Sequence, residues 1–365
     1  MKKLLFIIWS FSMGGGAEKI LSNILNNIDL CKYVIDVLEY VNFGIKKESV
    51  PDKINLLPPL ITMDNKMDDL AKIILDKAVY SYPSLVRFLT NRKKYDIEIS
   101  FNVLIPSFLL NKKTKTICWV HGDVFFFNDY QYRSFYEKQN KVFLGCNSIV
   151  SISSFTSKSI KEMFPNVSNK IKTIYNGFDF EDIDLKKDEQ TAQYIHKNSL
   201  ILVGRLDENK NPELAIEFIE KLHLQGKKYH LYVLGDGCLK ERCMIKAIEK
   251  SLEDYIHFFG YVQNPYPYMK KAKAIISFSG SEGFPTVIVE SMYLGKPFIS
   301  FNVGGIEELS SNGKYGIVVK DVNEAVKEIY KIEIGFFNED ELNKHACQFS
   351  LGNQISEIEN LLDNL

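Results

Sequence analysis

At 365 residues the chain exceeds the length at which one hydrophobic core keeps growing, so two domains are expected. A net charge of −1 excludes a generic nucleic-acid binder, and no apolar run approaches the ~18 residues that a membrane span needs. Six scattered cysteines without a CxxC pair suit a reducing, cytoplasmic compartment and offer no zinc framework.

The near-neutral total hides an asymmetry. Residues 1–180 carry 24 Lys+Arg against 17 Asp+Glu, a net of +7, whereas residues 181–365 carry 21 against 29, a net of −8. A basic half of this kind is expected to meet an anionic surface or substrate.

In chain order, Met1-Lys2-Lys3 ahead of an apolar run to Trp9 imitates a signal peptide, but the run is short and reads as a first buried strand. Further strands are predicted over 33–40, 97–101, 116–120 and 148–152, with helices over 17–28, 68–78, 85–91 and 156–163. The second half repeats the pattern, with strands at 200–203, 230–234, 257–259, 274–277, 298–301 and 316–319 separated by helical segments. Short apolar runs alternating with helix-period segments predict α/β halves, each a doubly wound parallel sheet. The expected division is a domain over 1–180, a charged hinge over 181–198, a domain over 199–351 and a closing amphipathic helix over 352–365.

Ligands of open parallel sheets sit beyond the C-terminal strand ends, and the distinctive residues fall there. Ser12-Met13-Gly14-Gly15-Gly16-Ala17-Glu18 follows the first strand, and its glycines let backbone amides face a ligand. It fails as a dinucleotide fingerprint because Lys19 stands where the third glycine belongs, although Asp36 lies at about the position of a ribose acid. His121, in Trp119-Val120-His121-Gly122-Asp123, is the only histidine of residues 1–180. Gly204-Arg205-Leu206 leads to Lys210-Asn211-Pro212; with five arginines against 40 lysines in the chain, an arginine after a strand suggests a site where its planar fork grips phosphate.

The most informative segment runs from Ser281 to Pro297. Glu282 and Glu290 bracket a Gly283-Phe284-Pro285 turn and a helix start at Thr286, and Gly295 and Pro297 end that helix. Free N–H groups at a helix start attract phosphate, and carboxylates accept hydrogen bonds from sugar hydroxyls. A glycosidase pair is disfavoured, since two helical carboxylates eight apart are separated by roughly 12 Å of rise, beyond the ~5–9.5 Å of glycoside hydrolysis. Asp182-x-Asp184 formally matches a metal-carrying acid pair but lies in the charged linker and reads as solvated; no metal and no other cofactor is expected.

These motifs, with Leu234-Gly235-Asp236-Gly237, Gly260-Tyr261-Val262 and Val303-Gly304-Gly305-Ile306-Glu307-Glu308, resemble in order and spacing the retaining nucleotide-sugar glycosyltransferases of family 4, among the glycosyl transferases group 1. The resemblance implies the GT-B fold, two Rossmann-like doubly wound domains facing across a cleft, with the C-terminal helix returning to the first. It implies a metal-independent hexosyltransferase that moves a hexose or N-acetylhexosamine from a UDP-sugar to a saccharide acceptor. Arg205, Lys210 and the amides of Thr286 and Val287 would take the diphosphate charge. Glu282 with Gly283, Phe284 and Pro285 would hold the sugar, with His121 across the cleft. Glu290 would bind the ribose hydroxyls, Gly204, Gly235, Asp236 and Gly237 would line the nucleotide, and Tyr261 and Val262 would meet the base edge. Gly15 and Gly16 would face the donor phosphate, and Glu18 and Asp123 the acceptor. Same-face attack is implied, the leaving phosphate taking the acceptor's proton. Pro285, Ser291 and Tyr293 depart from the family's usual residues and leave the donor open.

Two rivals share the fold: a nucleotide-sugar epimerase, disfavoured by the glutamate pair with Gly204-Arg205, and a catalytically silent subunit, disfavoured by the complete polar set. The basic first half, the helical stretch ending at Arg92-Lys93-Lys94 and the cluster Phe125, Phe126, Phe127, Tyr130, Tyr132, Phe135 and Tyr136 predict peripheral contact with the anionic inner face of the cytoplasmic membrane. The expected acceptor is then polyprenyl-diphosphate-linked, as in O-antigen, capsule or exopolysaccharide assembly.

Overall fold

The computed structural model describes residues 1–13, 16–45, 49–63, 67–191 and 194–365. They form two units, Met1–Gly177 with Leu351–Leu365, and Phe178–Ser350.

The first unit is built on strands β1 (Lys2–Ile8), β2 (Tyr33–Glu39), β4 (Asn55–Leu56), β6 (Ile97–Ser100), β7 (Lys115–Val120), β8 (Ser148–Ser151) and β9 (Ile171–Thr173). They form one parallel sheet in the order β4-β2-β1-β6-β7-β8-β9, and β3 (Val41–Asn42) pairs separately with β5 (Ile61–Thr62). Leu4 to Ile8 are apolar and fully buried, as a strand covered on both faces requires. The central helices here are α1 (Gly16–Asn27), α2 (Met67–Ser81) and α3 (Pro83–Thr90). The closing helix, Leu351–Asp363, packs on α1 and is tied by Lys32 Nζ to Glu359 at 2.8 Å and by Tyr33 Oη to Asp363 at 3.0 Å. A Cβ on Gly177 would lie 2.7 Å from the Leu351 Cα, so glycine lets the two crossing segments touch.

The second unit carries β10 (Ser199–Val203), β11 (His230–Leu234), β12 (Ile256–Gly260), β13 (Ala274–Ser277), β14 (Phe298–Phe301) and β15 (Gly316–Val319). Their order, β12-β11-β10-β13-β14-β15, is that of a doubly wound nucleotide-binding sheet, whose direction of winding reverses between β10 and β13. Its core runs from Leu200 and Leu202 through Phe218 and Leu231 to Ile276 and Ile299.

The structure sharpens three points of the sequence. Residues 181–198, expected as a charged hinge, carry most of helix Phe180–Lys186, capped by Asp179 Oδ1, which accepts from Asp182 N–H at 3.1 Å, and anchored by buried Ile183, all within the second unit. Residues 192 and 193 of that stretch lie outside the described residues. The aromatic cluster does not face outward. Phe127 is buried, stacks on Phe126 at 4.5 Å and meets Phe164 edge-on at 5.5 Å, while Tyr136 stacks on Phe164 at 4.9 Å. Tyr130, 95% exposed, points away from this packing. The 3-10 turn Phe125–Asn128 gives consecutive rings different directions, and the core behind β7 and β8 takes Phe126 and Phe127. Asp36, consistent with the failed dinucleotide fingerprint, is taken up within the first unit: buried on β2, it accepts from Lys93 Nζ at 2.8 Å, Tyr95 Oη at 2.6 Å and Asn55 Nδ2 at 3.1 Å.

Candidate functional site

In the second unit three loops leave the C-terminal strand ends and are laced together through backbone. Gly204 N–H donates to Leu234 O at 3.0 Å, Leu206 N–H to Asp236 O at 2.9 Å and Gly235 N–H to Gly260 O at 2.7 Å. A Cβ on Gly235 would lie 1.8 Å from the Gly204 carbonyl oxygen, so no other residue allows this approach. Asp236, exposed on the second loop, is held below the usual carboxylate range by Lys240 Nζ at 2.9 Å, and accepts from Gly237 N–H at 2.8 Å. Tyr261, on the third loop, is 81% exposed, beside half-buried Val262.

The loops after β10 and β13 meet at the switch point. Asn209 Nδ2 donates to Ser281 O at 3.0 Å, Gly280 N–H to Asn209 O at 2.7 Å and Asn211 Nδ2 to Phe278 O at 3.2 Å. At their centre Lys210 Nζ lies 2.5 Å from Glu282 Oε1, both side chains mostly covered. The sequence assigned these two to different parts of a ligand; the structure makes them one ion pair, so Lys210 is not a free point charge. Arg205 is well exposed, with its guanidinium 3.0 Å from Asp207 Oδ2, while Asp207 Oδ1 accepts from Lys210 N–H at 3.0 Å. An exposed pair of this kind is held weakly, which leaves the fork free to transfer to a doubly charged ligand.

Glu282 is fixed from behind. Gly304 adopts φ +56°, and a Cβ there would sit 2.2 Å from Glu282 O; Gly305 N–H donates to Gly283 O at 3.2 Å. Phe284 is buried against Phe349 at 5.3 Å, and Pro285 begins helix Thr286–Tyr293, which has no side-chain N-cap. The N–H groups of exposed Thr286 and half-buried Val287 therefore have no acceptor within the helix, while Ile288 N–H donates to Pro285 O at 3.2 Å. Gly295, at φ +73°, ends it. On its second turn Glu290 Oε1 accepts from Tyr266 Oη at 3.4 Å; burial, then the charges of Glu290, Asp182 and Asp179, raise the Tyr266 phenol well above its usual value. Asp182 and Asp184 are engaged, with Lys186 and Lys187 respectively, each at 2.6 Å. Among the described residues no three His, Cys, Asp or Glu side chains are placed to hold a metal.

In the first unit Gly16 opens α1, and Glu18 is buried on its first turn. Gly15 and its neighbour Gly14 lie outside the described residues. The chain entering that loop is held by a residue the sequence did not single out. Glu39, buried at the end of β2, accepts from Phe11 N–H at 2.6 Å, Ser12 Oγ at 2.6 Å and Ser10 Oγ at 3.2 Å through one oxygen, and from Asn42 Nδ2 at 2.9 Å through the other. A second carboxylate, after Asp36, in a largely apolar buried strand was the available signal. His121 follows β7 with its ring 4.5 Å from Phe101 and stacked 6.3 Å from Trp119. Burial pushes its imidazole down to about 4, partly offset by a hydrogen bond to the Phe101 backbone, so it is neutral near pH 7. Its Nε2 is buried without a partner among the described residues. Asp123 accepts from Phe125 N–H at 3.0 Å and so shapes the turn.

Residues 185–344 match the family model of glycosyl transferases group 1. An N-acetylgalactosamine-N,N'-diacetylbacillosaminyl-diphospho-undecaprenol 4-alpha-N-acetylgalactosaminyltransferase of Campylobacter jejuni is 31% identical over 170 residues, 46% of this chain and under half (45%) of that protein's length. A second Campylobacter jejuni relative, a GalNAc-alpha-(1->4)-GalNAc-alpha-(1->3)-diNAcBac-PP-undecaprenol alpha-1,4-N-acetyl-D-galactosaminyltransferase, is 26% identical over 87% of this chain and 85% of its own. The crystal structure of Anabaena HepE in complex with UDP superposes with a TM-score of 0.72 at 17% identity, covering 100% of both chains. The fold is GT-B, and the second unit, through residues 185–344, is similar to the glycosyl transferases group 1.

Proposed function

We propose that this chain is a retaining, metal-independent glycosyltransferase of surface-polysaccharide assembly. It transfers a hexose or N-acetylhexosamine from a UDP-sugar to a polyprenyl-diphosphate-linked saccharide at the inner face of the cytoplasmic membrane. The observation that carries this reading is the joined pair of loops at the β10/β13 switch point, where Arg205, the Lys210–Glu282 pair and the open start of helix Thr286–Tyr293 come from neighbouring strand ends. The two relatives named for transfer to undecaprenyl-diphosphate-linked acceptors support the acceptor class, and the UDP-bound neighbour supports the nucleotide.

The physical task is to stabilise a departing diphosphate and a cationic sugar together. Arg205 moves from Asp207 to the diphosphate, the helix-start amides add preorganised donors, and Lys210 is shared between Glu282 and phosphate. Glu282, held by the Gly304–Gly305 backbone, then faces the sugar, and Glu290 with Tyr266 accepts the ribose hydroxyls. His121, neutral at physiological pH, serves as a hydrogen-bonding group rather than a charge. The attacking hydroxyl approaches from the face the diphosphate leaves, and the leaving phosphate takes its proton.

The test is transfer from a panel of UDP-sugars to lipid-linked and free saccharide acceptors, with and without EDTA, the product anomer read by NMR. Retention of the donor's anomeric configuration, UDP release only when acceptor is present, and indifference to EDTA are expected. UDP release without acceptor would favour an epimerase, inversion would remove the same-face mechanism, and activity restored by Mn²⁺ after chelation would return attention to Asp182 and Asp184.

A further inference from the structure

Helices α2 and α3 have apolar stripes on the wrong side for a soluble surface. Their inward residues are accounted for: Leu75 and Val79 of α2 and Val86 of α3 pack in the core beside β1 and β2. Yet Leu70 (63% exposed), Ile73 (49%) and Ile74 (60%) repeat at i, i+3, i+4 on α2, and Leu85 (55%), Phe88 (56%) and Leu89 (65%) repeat at the same spacing on α3. Tyr82, between them, is 68% exposed. Scattered surface apolar residues need no explanation, but two successive helices each presenting a second periodic stripe do.

The C-terminal end of α3 supplies the rest. A cavity of about 530 Å³ opens there, lined by Phe88 of the stripe together with Arg92, Lys93, Lys94, Lys112 and Lys113. Arg92 lies over the Phe88 ring at 4.3 Å, and Lys93 reaches Asp36 at 2.8 Å. Lys94, Lys112 and Lys113 have no carboxylate partner among the described residues, so three uncompensated cations share one concavity. Arg87, at the back, is committed to buried Glu98 at 3.0 Å. The other helix with an exposed stripe, Lys240–Glu249, sets Met244, Ile245 and Ile248 among charges of both signs, with Arg242 paired to Glu213, and offers no such field.

We propose that α2 and α3 form a membrane-docking face, in which Leu85, Phe88 and Leu89 enter the headgroup boundary and the Lys94–Lys112–Lys113 cavity takes the phosphate of an anionic lipid. The occupant follows from the chemistry: apolar side chains at helical spacing continuous with a concentrated positive charge match an interface where acyl chains lie beneath phosphates. This face replaces the inward-packed aromatic cluster as the site of contact. It deepens the proposed function, resting on it for the lipid-linked acceptor but not for the binding itself.

The experiment is flotation of the full chain with vesicles of phosphatidylcholine alone, and of phosphatidylcholine and phosphatidylglycerol in equal parts, at low and high salt. The wild type should float with the anionic vesicles at low salt, be released by high salt and ignore phosphatidylcholine alone. Replacing Lys94, Lys112 and Lys113 together by serine should lower partitioning about a hundredfold, from the attraction of each lysine to an anionic surface. Leu85→Ser with Phe88→Ser and Leu89→Ser should weaken binding on anionic vesicles and make what remains release at lower salt. Absence of wild-type flotation, equal binding to neutral vesicles, or either variant floating like the wild type would overturn the proposal. So would an apolar variant that dissolves a wild-type dimer without affecting flotation, since a second copy would then own the face. Calorimetric UDP binding without vesicles separates the two readings: flotation as described with no UDP binding leaves the surface standing and removes the transferase.

Discussion

The two units share one design of sheet and solve the support of their strand-end loops differently. In the second unit the loops after β10, β11 and β13 hold one another, backbone to backbone and through Asn209 and Asn211, with the Lys210–Glu282 pair at the centre. In the first unit the loop after β1 converges on one buried carboxylate, Glu39, with further bonds from Trp9 N–H to Asn102 Oδ1 and from Phe43 N–H to Ser12 Oγ, and His121 is held by aromatic packing. The difference teaches where each unit can tolerate change: a distributed network loses one contact at a time, whereas removing a carboxylate that accepts four bonds strands several partners at once.

The sharpest way to break the comparison is Glu39→Ala. It strands the Phe11 amide and the Ser10 and Ser12 hydroxyls in a buried site, a loss of about 3 kcal/mol or more, which lowers the melting temperature by about 6–12 °C. Glu39→Gln should recover part of it; a melt unchanged by the alanine variant would show that the loop has other support. Next comes Arg205→Lys, which keeps the charge and removes the fork. Turnover should fall about 10²-fold with folding intact, and near-normal turnover would take the fork out of the mechanism. Gly235→Ala forces the Gly204 carbonyl aside and should cost about 2 kcal/mol in the second unit; a fully stable variant would mean that the lacing is loose. Glu290→Ala should raise KM for the UDP-sugar by about tenfold with kcat little changed, because ribose contacts act alike in ground and transition states. Glu282→Ala and His121→Ala should instead chiefly lower kcat, and identical pure-KM losses in all three would end that division of labour.

The smallest effect compares the units by acid. His121 in the first and His230 in the second are both pushed down to about 4, His121 by burial, and His230 by burial and then by the neighbouring His196, His257 and His223. Their folded values lie below the unfolded value of 6.5, so the unfolded chain binds more protons between pH 6.5 and about 4. Stability should therefore be constant above pH 6.5 and decline as the pH falls toward 4. His230→Asn should flatten the decline for the second unit alone. Melting temperatures at pH 7.5, 5.5 and 4.5 read both, and a rise in stability on acidification would contradict both environments.

The sequence alone determined the alternation of buried strands and helices, because fully covered parallel strands must be continuous apolar runs, and it marked the glycine turns beyond the strands, because Gly235 and Gly304 stand where backbones touch. It marked the helix start at Thr286 and its end at Gly295, since capping and positive φ are local properties. Tertiary structure alone decided what long-range partners decide. Lys210 and Glu282, 72 residues apart, become one pair; Asp36 becomes a structural acceptor; Glu39 becomes the brace of a loop that precedes it in the chain. Phe126 and Phe127, in a run apolar on any reading, turned inward, while the helical spacing of Leu85, Phe88 and Leu89, equally consistent with a core, proved to face out. Periodicity records that a face is apolar; only the packing of the rest of the chain settles which side is already occupied.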